Sequence, residues 1–237
     1  MTRSADTPAA RSAEVTDPDE ERALSVAYRH LRIAIGLLAL SLPFAIVLGK
    51  GLLDGSWVPQ GSISAYYYTS SRNYFVGALC ALAVFFLSYE YRSVDEFRAD
   101  NLLSNLASVA ALGVAFLPTT RGGVTSTGPE KVVGALHYVC AVALFVILAV
   151  FCLFRFTLSQ GKKTPQKVLR NRVYRACGGV IVGCLILCLV ALVAMPDSWR
   201  ALFWLESIMV CAFALSWLVK GGFRGTLEDK PPAGSPA

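Results

Sequence analysis

The fold of this 237-residue chain is decided by its longest apolar stretch, VVGALHYVCAVALFVILAVFCLF, which occupies residues 132–154. The stretch contains no Asp, Glu, Lys or Arg, and His137 is its one histidine. A helix that crosses the hydrocarbon core of a bilayer needs about 20 mainly apolar residues. The stretch therefore predicts a membrane-spanning helix.

Five further stretches have a similar length and character. They occupy residues 31–49, 74–91, 102–118, 176–195 and 201–219. Backbone polar groups cannot stay unpaired in lipid, so each stretch must form a helix or join a closed barrel. Barrel strands alternate in polarity, whereas these runs are continuously apolar. We therefore predict an all-α, polytopic membrane protein built as a bundle of six transmembrane helices.

The composition excludes the other broad classes of protein. Hydrophobic residues make up 55% of the chain and charged residues 16%, against about 25% charged residues in a soluble domain. A disordered chain needs low hydrophobicity and high charge. A disulfide-rich secreted scaffold is short, and all seven cysteines of this chain lie inside the apolar stretches. We predict that these cysteines serve as small hydrophobic residues.

The two ends of the chain are polar and divide it into three regions. Residues 1–16 and 221–237 are rich in Ser, Thr, Pro and charged residues, which predicts two disordered tails around a transmembrane domain at 17–220. Pro18 suits the first position of a helix, and Asp17 suits the capping position before it. The first helix is therefore predicted to begin well before its apolar stretch.

The distribution of basic residues predicts the orientation. Of the 22 Lys and Arg residues, 17 lie in the two terminal segments and the second and fourth connections, and 5 lie in the other three connections. Basic residues accumulate on the cytoplasmic side of membrane proteins. We therefore expect a bacterial cytoplasmic (inner) membrane protein with both termini in the cytoplasm. The basic fourth connection, 155–175, is interpreted mainly as a topology signal that can also touch anionic lipid headgroups.

Motifs for common cofactors and partners are absent from the sequence. There is no P-loop, dinucleotide fingerprint or nucleophile elbow, so the cofactor is left open. Two histidines argue against a metal centre. The basic residues follow the predicted topology, which gives no support for nucleic-acid binding. The expected partners are membrane lipids and a small amphipathic ligand, and the oligomeric state is left open.

Two ionisable residues lie deep inside the predicted helices. His137 and Glu206 each come five residues after the outer start of their stretch, which places both about 8 Å down at 1.5 Å per residue. Ionisable groups inside a membrane are costly and are commonly functional. We predict that the two side chains face the interior of the bundle, close enough to interact directly or through water, and form the floor of a pocket.

A polar rim is predicted above this floor, in the connection that leads into the second helix. Its candidate ligand-binding residues are Ser64, Tyr67, Tyr68, Arg72 and Asn73. Arg72, Arg121 and Arg200 can attract an anionic headgroup, and the tyrosines can line its apolar part.

Several functions fit this outward-facing pocket. The leading prediction is that the protein binds or moves a small or lipid-like ligand. An alternative is an intramembrane enzyme acting on a lipid or isoprenoid substrate, with Glu206 as general acid and base and His137 orienting it. A third is a scaffold without a ligand, in which the two side chains form an interhelical hydrogen bond. Separately, Gly179 and Gly183 form a GxxxG pattern that predicts a close-packed helix face.

Several short segments resemble an uncharacterised family of bacterial six-helix integral membrane proteins. The first is SISAYYYT at 62–69, followed by Arg72 and FVG at 75–77. The later ones are RNRVYRACG at 170–178, FWLE at 203–206 and SWLVKG at 216–221. The resemblance covers about residues 28–222. It implies six transmembrane helices and supplies neither an activity nor catalytic residues.

Overall fold

The computed structural model describes residues 18–89, 97–121, 125–158, 164–194, 200–225 and 227. All regular structure in these ranges is helical. The six main helices are α1 (Pro18–Leu53), α2 (Arg72–Leu87), α3 (Phe97–Phe116), α4 (Gly128–Val150), α5 (Pro165–Ala194) and α6 (Ala201–Lys220). A π-helical segment, Phe151–Arg155, extends α4, and two 3₁₀ turns occupy Ser64–Tyr68 and Phe223–Gly225.

The six helices form a closed ring. Each helix packs against the next one in the chain, and α6 closes the ring by packing on α1. The ends of α1, α3 and α5 meet the starts of α4 and α6 around one pocket at the end of the bundle that carries Tyr68. We call this the Tyr68 end, and the opposite end the Trp217 end.

Four of the helices are long and apolar enough to cross a membrane: Arg22–Leu53, Gly128–Arg155, Pro165–Leu192 and Ala201–Lys220. The apolar helical segments Arg72–Leu87 and Asn101–Phe116 have 16 residues each. At 1.5 Å per residue they measure about 24 Å, which is less than the ~30 Å of a hydrocarbon core. Length and composition thus identify a membrane helical bundle with four clear spans.

The predicted stretches are all helical, but several boundaries differ. Helix α1 is described from Pro18, so it extends well before its apolar stretch as predicted, while its proposed cap, Asp17, lies outside the described residues. The predicted second span is too long, because α2 ends at Leu87 and Ser88 forms a turn. In the opposite sense, α5 begins at Pro165, eleven residues before its apolar stretch.

The outer surface of the ring is apolar, as expected for a bundle surrounded by lipid. Phe44 on α1, Val109 on α3, Val139 on α4 and Leu189 on α5 are each about 65% exposed. Soluble monomers seldom expose such large contiguous apolar surfaces. These outward side chains support the membrane assignment independently of helix length.

The centre of the ring is closed at the Trp217 end by aromatic side chains. Trp217 is fully buried, and its ring contacts five others at centroid distances of 5.0–6.2 Å. The contacting residues are Phe86, Tyr89, Phe151, Phe156 and Phe213. Edge-to-face and tilted pairs of this kind are favourable beyond their buried area. All six rings are at most 3% exposed, so the cluster is a packed core at this end of the ring.

Helix packing does not use the predicted GxxxG face. A Cβ atom added to Gly179 or Gly183 would meet nothing within 4 Å, so the prediction of close packing at these two glycines is wrong. One close approach occurs between α1 and α6, where a Cβ on Gly36 would lie 2.7 Å from Leu218 Cγ and 3.1 Å from the Ala214 carbonyl oxygen. A small-residue motif marks a possible contact, and the rotation of the helix determines which face is used.

The structured region extends beyond the predicted boundary at residue 221. Gly221 and Gly222 are buried, and the 3₁₀ turn Phe223–Gly225 follows them. The Arg29 guanidinium donates a hydrogen bond of 2.9 Å to the Gly222 carbonyl oxygen. The predicted N-terminal tail and the residues after 227 lie outside the described residues.

Candidate functional site

Glu206 anchors the connection between α1 and α2 inside the ring. Its Oε2 atom accepts a hydrogen bond of 2.6 Å from the backbone N–H of Ile63. Ile63 stands at the N-terminal end of the 3₁₀ turn Ser64–Tyr68, where backbone N–H groups lack partners within the turn and favour a negative charge. The described geometry thus gives the deep carboxyl group a positioning role.

A second set of contacts holds the same connection in place. The Phe203 N–H donates to the Gly61 carbonyl oxygen at 3.0 Å, and the fully buried Tyr66 ring packs 6.0 Å from the Phe203 ring. The Ser71 hydroxyl donates to the Ile46 carbonyl oxygen at 2.7 Å. These contacts close the ring at the Tyr68 end, because they fold the connection down between the helices.

An exposed contact ties the end of α1 to the start of α2. The Ser70 hydroxyl and backbone N–H both donate to the Asp54 carboxylate. The hydrogen bond from the Ser70 hydroxyl is the main cause that lowers the pKa of Asp54 below its usual value. The contact joins the two ends of the connection between α1 and α2. The lowered pKa keeps the Asp54 carboxylate ionised at neutral pH.

A small cavity remains between the folded connection and the Trp217 cluster. Its volume is about 60 Å³, and Glu206, Ser64 and Ile63 line it together with apolar residues such as Leu79 and Val210. Such a cavity has room for a few water molecules and not for a lipid chain. A lipid-like ligand therefore does not fit beside Glu206 in this conformation.

His137 anchors a second helix end. Its Nδ1 atom lies 2.6 Å from the Leu117 carbonyl oxygen, just beyond the end of α3. A carbonyl only accepts hydrogen bonds, so Nδ1 carries the proton in this contact. The histidine, which is 1% exposed, thus satisfies one of the carbonyl groups that a helix leaves unpaired at its C-terminus.

The two deep ionisable residues are not joined to each other. Both lie within the described residues, and neither a hydrogen bond nor an ion pair connects the His137 ring to the Glu206 carboxyl group. Helices α4 and α6 touch only marginally, so the two side chains bond to different backbone segments. A direct bond between the two side chains is therefore absent from the described residues, because equal depth along two helices does not make those helices close neighbours.

The main polar cavity lies above these anchors, and we call it the Tyr68 pocket. Its volume is about 790 Å³. Three basic residues, Lys50, Arg121 and Arg200, line it, and none of its described lining residues is Asp or Glu. Its hydroxyl groups come from Ser56, Ser62, Tyr68, Thr69, Thr119, Thr120 and Tyr138. The pocket therefore has the charge and the hydrogen-bonding groups that suit an anion.

Tyr68 forms one wall of this pocket. Its hydroxyl donates a hydrogen bond of 2.7 Å to the Thr119 carbonyl oxygen, and the Arg121 guanidinium carbon lies 5.2 Å from its ring centroid. Burial raises the pKa of the Tyr68 phenol above its usual value, so the hydroxyl stays protonated at neutral pH. The stacked arginine is oriented toward the pocket by this ring.

Lys50 was not predicted as a site residue. It is 6% exposed, and its ammonium group donates to the carbonyl oxygens of Ser56 and Val58 at 2.9 and 3.0 Å. An ammonium group has three N–H donors, so one remains for a ligand beyond these two bonds within the described residues. The sequence shows Lys50 only as one basic residue near a helix end, which did not distinguish it from a topology signal.

Arg200 holds an unusual backbone conformation at the start of α6. Its φ and ψ angles, 49° and 38°, are left-handed, which is uncommon for a residue other than glycine. Its Nε donates a hydrogen bond of 2.6 Å to the Pro59 carbonyl oxygen. The Arg200 side chain lines the Tyr68 pocket, and uncommon backbone conformations of this kind are enriched at functional positions.

The predicted rim residues do not all meet at one pocket. Of the predicted set, Tyr68 lines the Tyr68 pocket, whereas Ser64 and Glu206 line the small central cavity. Tyr67 and Arg72 contact each other, with the guanidinium 4.0 Å from the ring centroid. Asn73 is exposed on the first turn of α2, and His137 bonds to the end of α3.

An apolar groove adjoins the Tyr68 pocket, and we call it the α6 groove. Its volume is about 790 Å³, and its walls come from α1, α5 and α6. Pro59 lines both cavities, with Arg200 on the pocket side and Trp57, Phe203 and Trp204 on the groove side. Polar and apolar binding surfaces are thus continuous across one short segment.

The described residues contain no group of three or more potential metal ligands, and all seven cysteines are free thiols. The chain matches no protein-family model, and no curated protein or solved structure is significantly similar to it. The resemblance to an uncharacterised six-helix family therefore stays a prediction.

Proposed function

We propose that the protein is a six-span cytoplasmic-membrane protein that binds a small or lipid-like anionic ligand in the Tyr68 pocket. The observation that carries this proposal is the convergence of Lys50, Arg121 and Arg200 on one cavity without a described carboxylate in its lining. Positive charges that line one cavity raise the local concentration of anions. The arrangement supports recognition of an anionic headgroup.

The adjoining α6 groove supports a ligand that is amphipathic. A headgroup in the Tyr68 pocket can extend a hydrocarbon chain past Pro59 into the groove, where the lining is almost entirely apolar. Burial of a hydrocarbon chain contributes about 0.8 kcal/mol per CH₂ group when the chain leaves water. The headgroup then determines specificity, and the chain keeps the ligand in the membrane.

The proposed orientation places the Tyr68 pocket on the outer side of the membrane. Helix directions alternate around the ring, so the connections with 5 of the 22 basic residues belong to the Tyr68 end. The positive-inside rule then puts the Trp217 end and both termini in the cytoplasm. The two helices with shorter apolar segments, α2 and α3, cross as well in this arrangement. The folded connection covers the outer end of α2.

The proposal does not extend to catalysis. Glu206 and His137 bond to separate backbone segments, and the cavity beside Glu206 is about 60 Å³. A general acid or base needs to reach the transferred proton directly or through one water. The geometry favours a role for both residues in building the walls of the pocket.

Binding of short-chain lipids to the full-length protein in a non-ionic detergent tests the proposal. We expect dioctanoyl phosphatidylglycerol to bind more tightly than zwitterionic dioctanoyl phosphatidylcholine, and more weakly as salt concentration rises. Arg121→Gln, at an exposed position, should weaken binding several-fold, and Arg121→Gln/Arg200→Gln at least tenfold. Lys131→Gln, an exposed basic residue outside the pocket, is the matched control. Equal binding of both lipids, or unchanged binding by both pocket variants, would contradict the proposal.

A further inference from the structure

The α6 groove follows one face of α6 for more than three helical turns. Phe203, Ser207, Cys211 and Leu215 line it and recur every four residues, which places them on one side of the helix. The interval from Phe203 to Leu215 measures about 18 Å at 1.5 Å per residue. One leaflet, half of the ~30 Å hydrocarbon core, measures about 15 Å. The groove is therefore about as deep as one leaflet of a bilayer.

The packing of three helices explains why the groove exists. Helix α6 packs against α1 and against α5, whereas α1 and α5 have at most marginal contact within the described residues. Phe44 and Val47 of α1 form one wall, and Ala176 and Val180 of α5 form the other. The groove is thus the gap between two helices that flank a third. All three helices belong to the four clear spans.

The groove is open toward the surroundings of the bundle. Phe44, Leu48, Trp204, Ile208 and Leu215 line it, and each is 47–65% exposed. Exposed apolar surface of this size on a membrane bundle is surface that meets lipid. A hydrocarbon chain can therefore enter the groove sideways, directly from the bilayer.

The lining of the groove suits hydrocarbon. None of its described lining residues is charged, and its one hydroxyl group, on Ser207, donates a hydrogen bond of 2.7 Å to the Phe203 carbonyl oxygen of the same helix. The indole groups of Trp57 and Trp204 belong to the Tyr68 end, and tryptophan is typical of the level of lipid headgroups. Below this level the groove offers apolar contacts to its occupant.

The width of the groove favours a lipid chain over a helix of a partner protein. A volume of about 790 Å³ distributed over a depth of about 18 Å gives a cross-section of about 44 Å², or about 7 Å across. An α-helix with its side chains is about 10–12 Å in diameter and does not fit inside. Hydrocarbon chains pack with their carbon atoms about 4 Å apart, so one or two chains fit side by side.

We infer that the α6 groove is a lateral entry path from the outer leaflet, and that the ligand is an anionic phospholipid with chains of leaflet length. The inference rests on the proposed function of the Tyr68 pocket and adds the class of the ligand and its route. Pro59 lines both cavities, so the headgroup can enter the pocket while the chains stay in the groove. The chains then remain in an apolar surrounding throughout.

Photo-crosslinking of the full-length protein in lipid nanodiscs tests this path. The probe is a phosphatidylglycerol that carries a diazirine near the end of one palmitoyl chain, diluted in unmodified phosphatidylcholine. A phosphatidylcholine with the same modified chain is the comparison probe. We expect the phosphatidylglycerol probe to label residues 208–215 at least fivefold more than the exposed faces of α3 and α4 around Val109 and Val139, and the phosphatidylcholine probe to label these surfaces about equally.

A bulky side chain in the groove should block the path. Ala212 lines the groove about 14 Å below Phe203, and Ala212→Trp should lower labelling of residues 208–215 at least fivefold. The matched control is Ala143→Trp, which adds the same side chain at an exposed position of α4 outside the groove and should leave labelling unchanged. Thermal unfolding establishes that both variants fold. The comparison of the two probes on the wild-type protein tests the path without any variant.

Dioctanoyl phosphatidylglycerol separates a failure of the path from a failure of the pocket. Its chains extend about 10 Å at about 1.25 Å per carbon, from the C–C bond length, and end above Ala212, so Ala212→Trp should bind it as the wild-type protein does. Equal labelling of α3, α4 and α6 by the phosphatidylglycerol probe, or unchanged labelling of the folded Ala212→Trp variant, would overturn the inference and leave surrounding lipid only. Selective binding of the dioctanoyl lipid would then still support the Tyr68 pocket, and its absence would overturn the proposed function as well.

Discussion

The Glu206 carboxyl group accepts a hydrogen bond of 2.6 Å from the backbone N–H of Ile63, a residue 143 positions earlier in the chain. This contact joins α6 to the connection between α1 and α2. That connection forms one side of the Tyr68 pocket. The presence of Glu206 inside an apolar helix thus has a structural explanation: its side-chain oxygen accepts the Ile63 N–H. Glu206 thus positions the connection, whereas Lys50, Arg121 and Arg200 line the pocket itself.

Two replacements of Glu206 should show whether its role depends on its hydrogen-bond acceptor or on its negative charge. Glu206→Gln keeps a side-chain oxygen that can accept from Ile63, so we expect a small loss of stability and retained ligand binding. Glu206→Leu leaves the Ile63 N–H unpaired and should lower the free energy of unfolding by about 1–3 kcal/mol. Thermal unfolding in detergent measures both. An equal loss of binding in both variants, with folding intact, would instead indicate a direct role for the carboxylate.

His137 should tolerate a replacement that keeps a donor near Nδ1. His137→Asn offers an amide N–H to the Leu117 carbonyl oxygen, whereas His137→Ala removes the donor and leaves a cavity. We expect His137→Ala to lose about 2 kcal/mol or more of stability and His137→Asn to lose clearly less. The comparison is made by thermal unfolding. A loss of ligand binding in His137→Asn without a loss of stability would place the imidazole in the ligand site.

The contact between α1 and α6 predicts opposite effects for two glycines. Gly36→Ala inserts a methyl group against Leu218 and the Ala214 carbonyl group, which should destabilise the protein by about 1–3 kcal/mol. Gly179→Ala, in open space on α5, should leave stability unchanged or raise it by up to about 1 kcal/mol through helix propensity. Thermal unfolding of the two variants checks this, and greater damage from Gly179→Ala would contradict the assigned packing face.

The sequence was informative wherever a property belongs to one helix. The helical character of the six apolar stretches and the extension of α1 before its apolar stretch follow from hydropathy and turn chemistry. Properties that depend on the rotation and neighbours of a helix did not follow. The partners of Glu206 and His137 are backbone atoms of Ile63 and Leu117, and a backbone atom carries no sequence signal.

The dependence on helix rotation and neighbours also explains why Lys50 was missed as a pocket residue and why the packing face at Gly179 and Gly183 was predicted wrongly. Lys50 counts as one basic residue in the sequence, and only the folded connection turns it into a buried cation that lines the Tyr68 pocket. Gly36 has no partner in a GxxxG pattern, yet it lies at the close contact. Local motifs propose such contacts, and three-dimensional packing selects among them.

Labelling in intact cells checks the proposed orientation. On a background without native cysteines, a cysteine at Ser62 or Thr125 should react with a membrane-impermeant maleimide, because both positions belong to the outer end. A cysteine at Lys163 or Ser235 should react only after the cells are permeabilised. Reaction of the Lys163 position in intact cells would reverse the orientation and place the Tyr68 pocket on the cytoplasmic side.

The most direct measurement of the central claim is the identity of what co-purifies with the protein, determined by native mass spectrometry and lipid analysis. The account predicts an anionic amphiphile that the wild-type protein retains, that Lys131→Gln retains equally, and that Arg121→Gln/Arg200→Gln loses while still folded. Retention of the same molecule by that folded double variant, or co-purification of zwitterionic lipids alone, would contradict the claim that the Tyr68 pocket recognises an anionic headgroup.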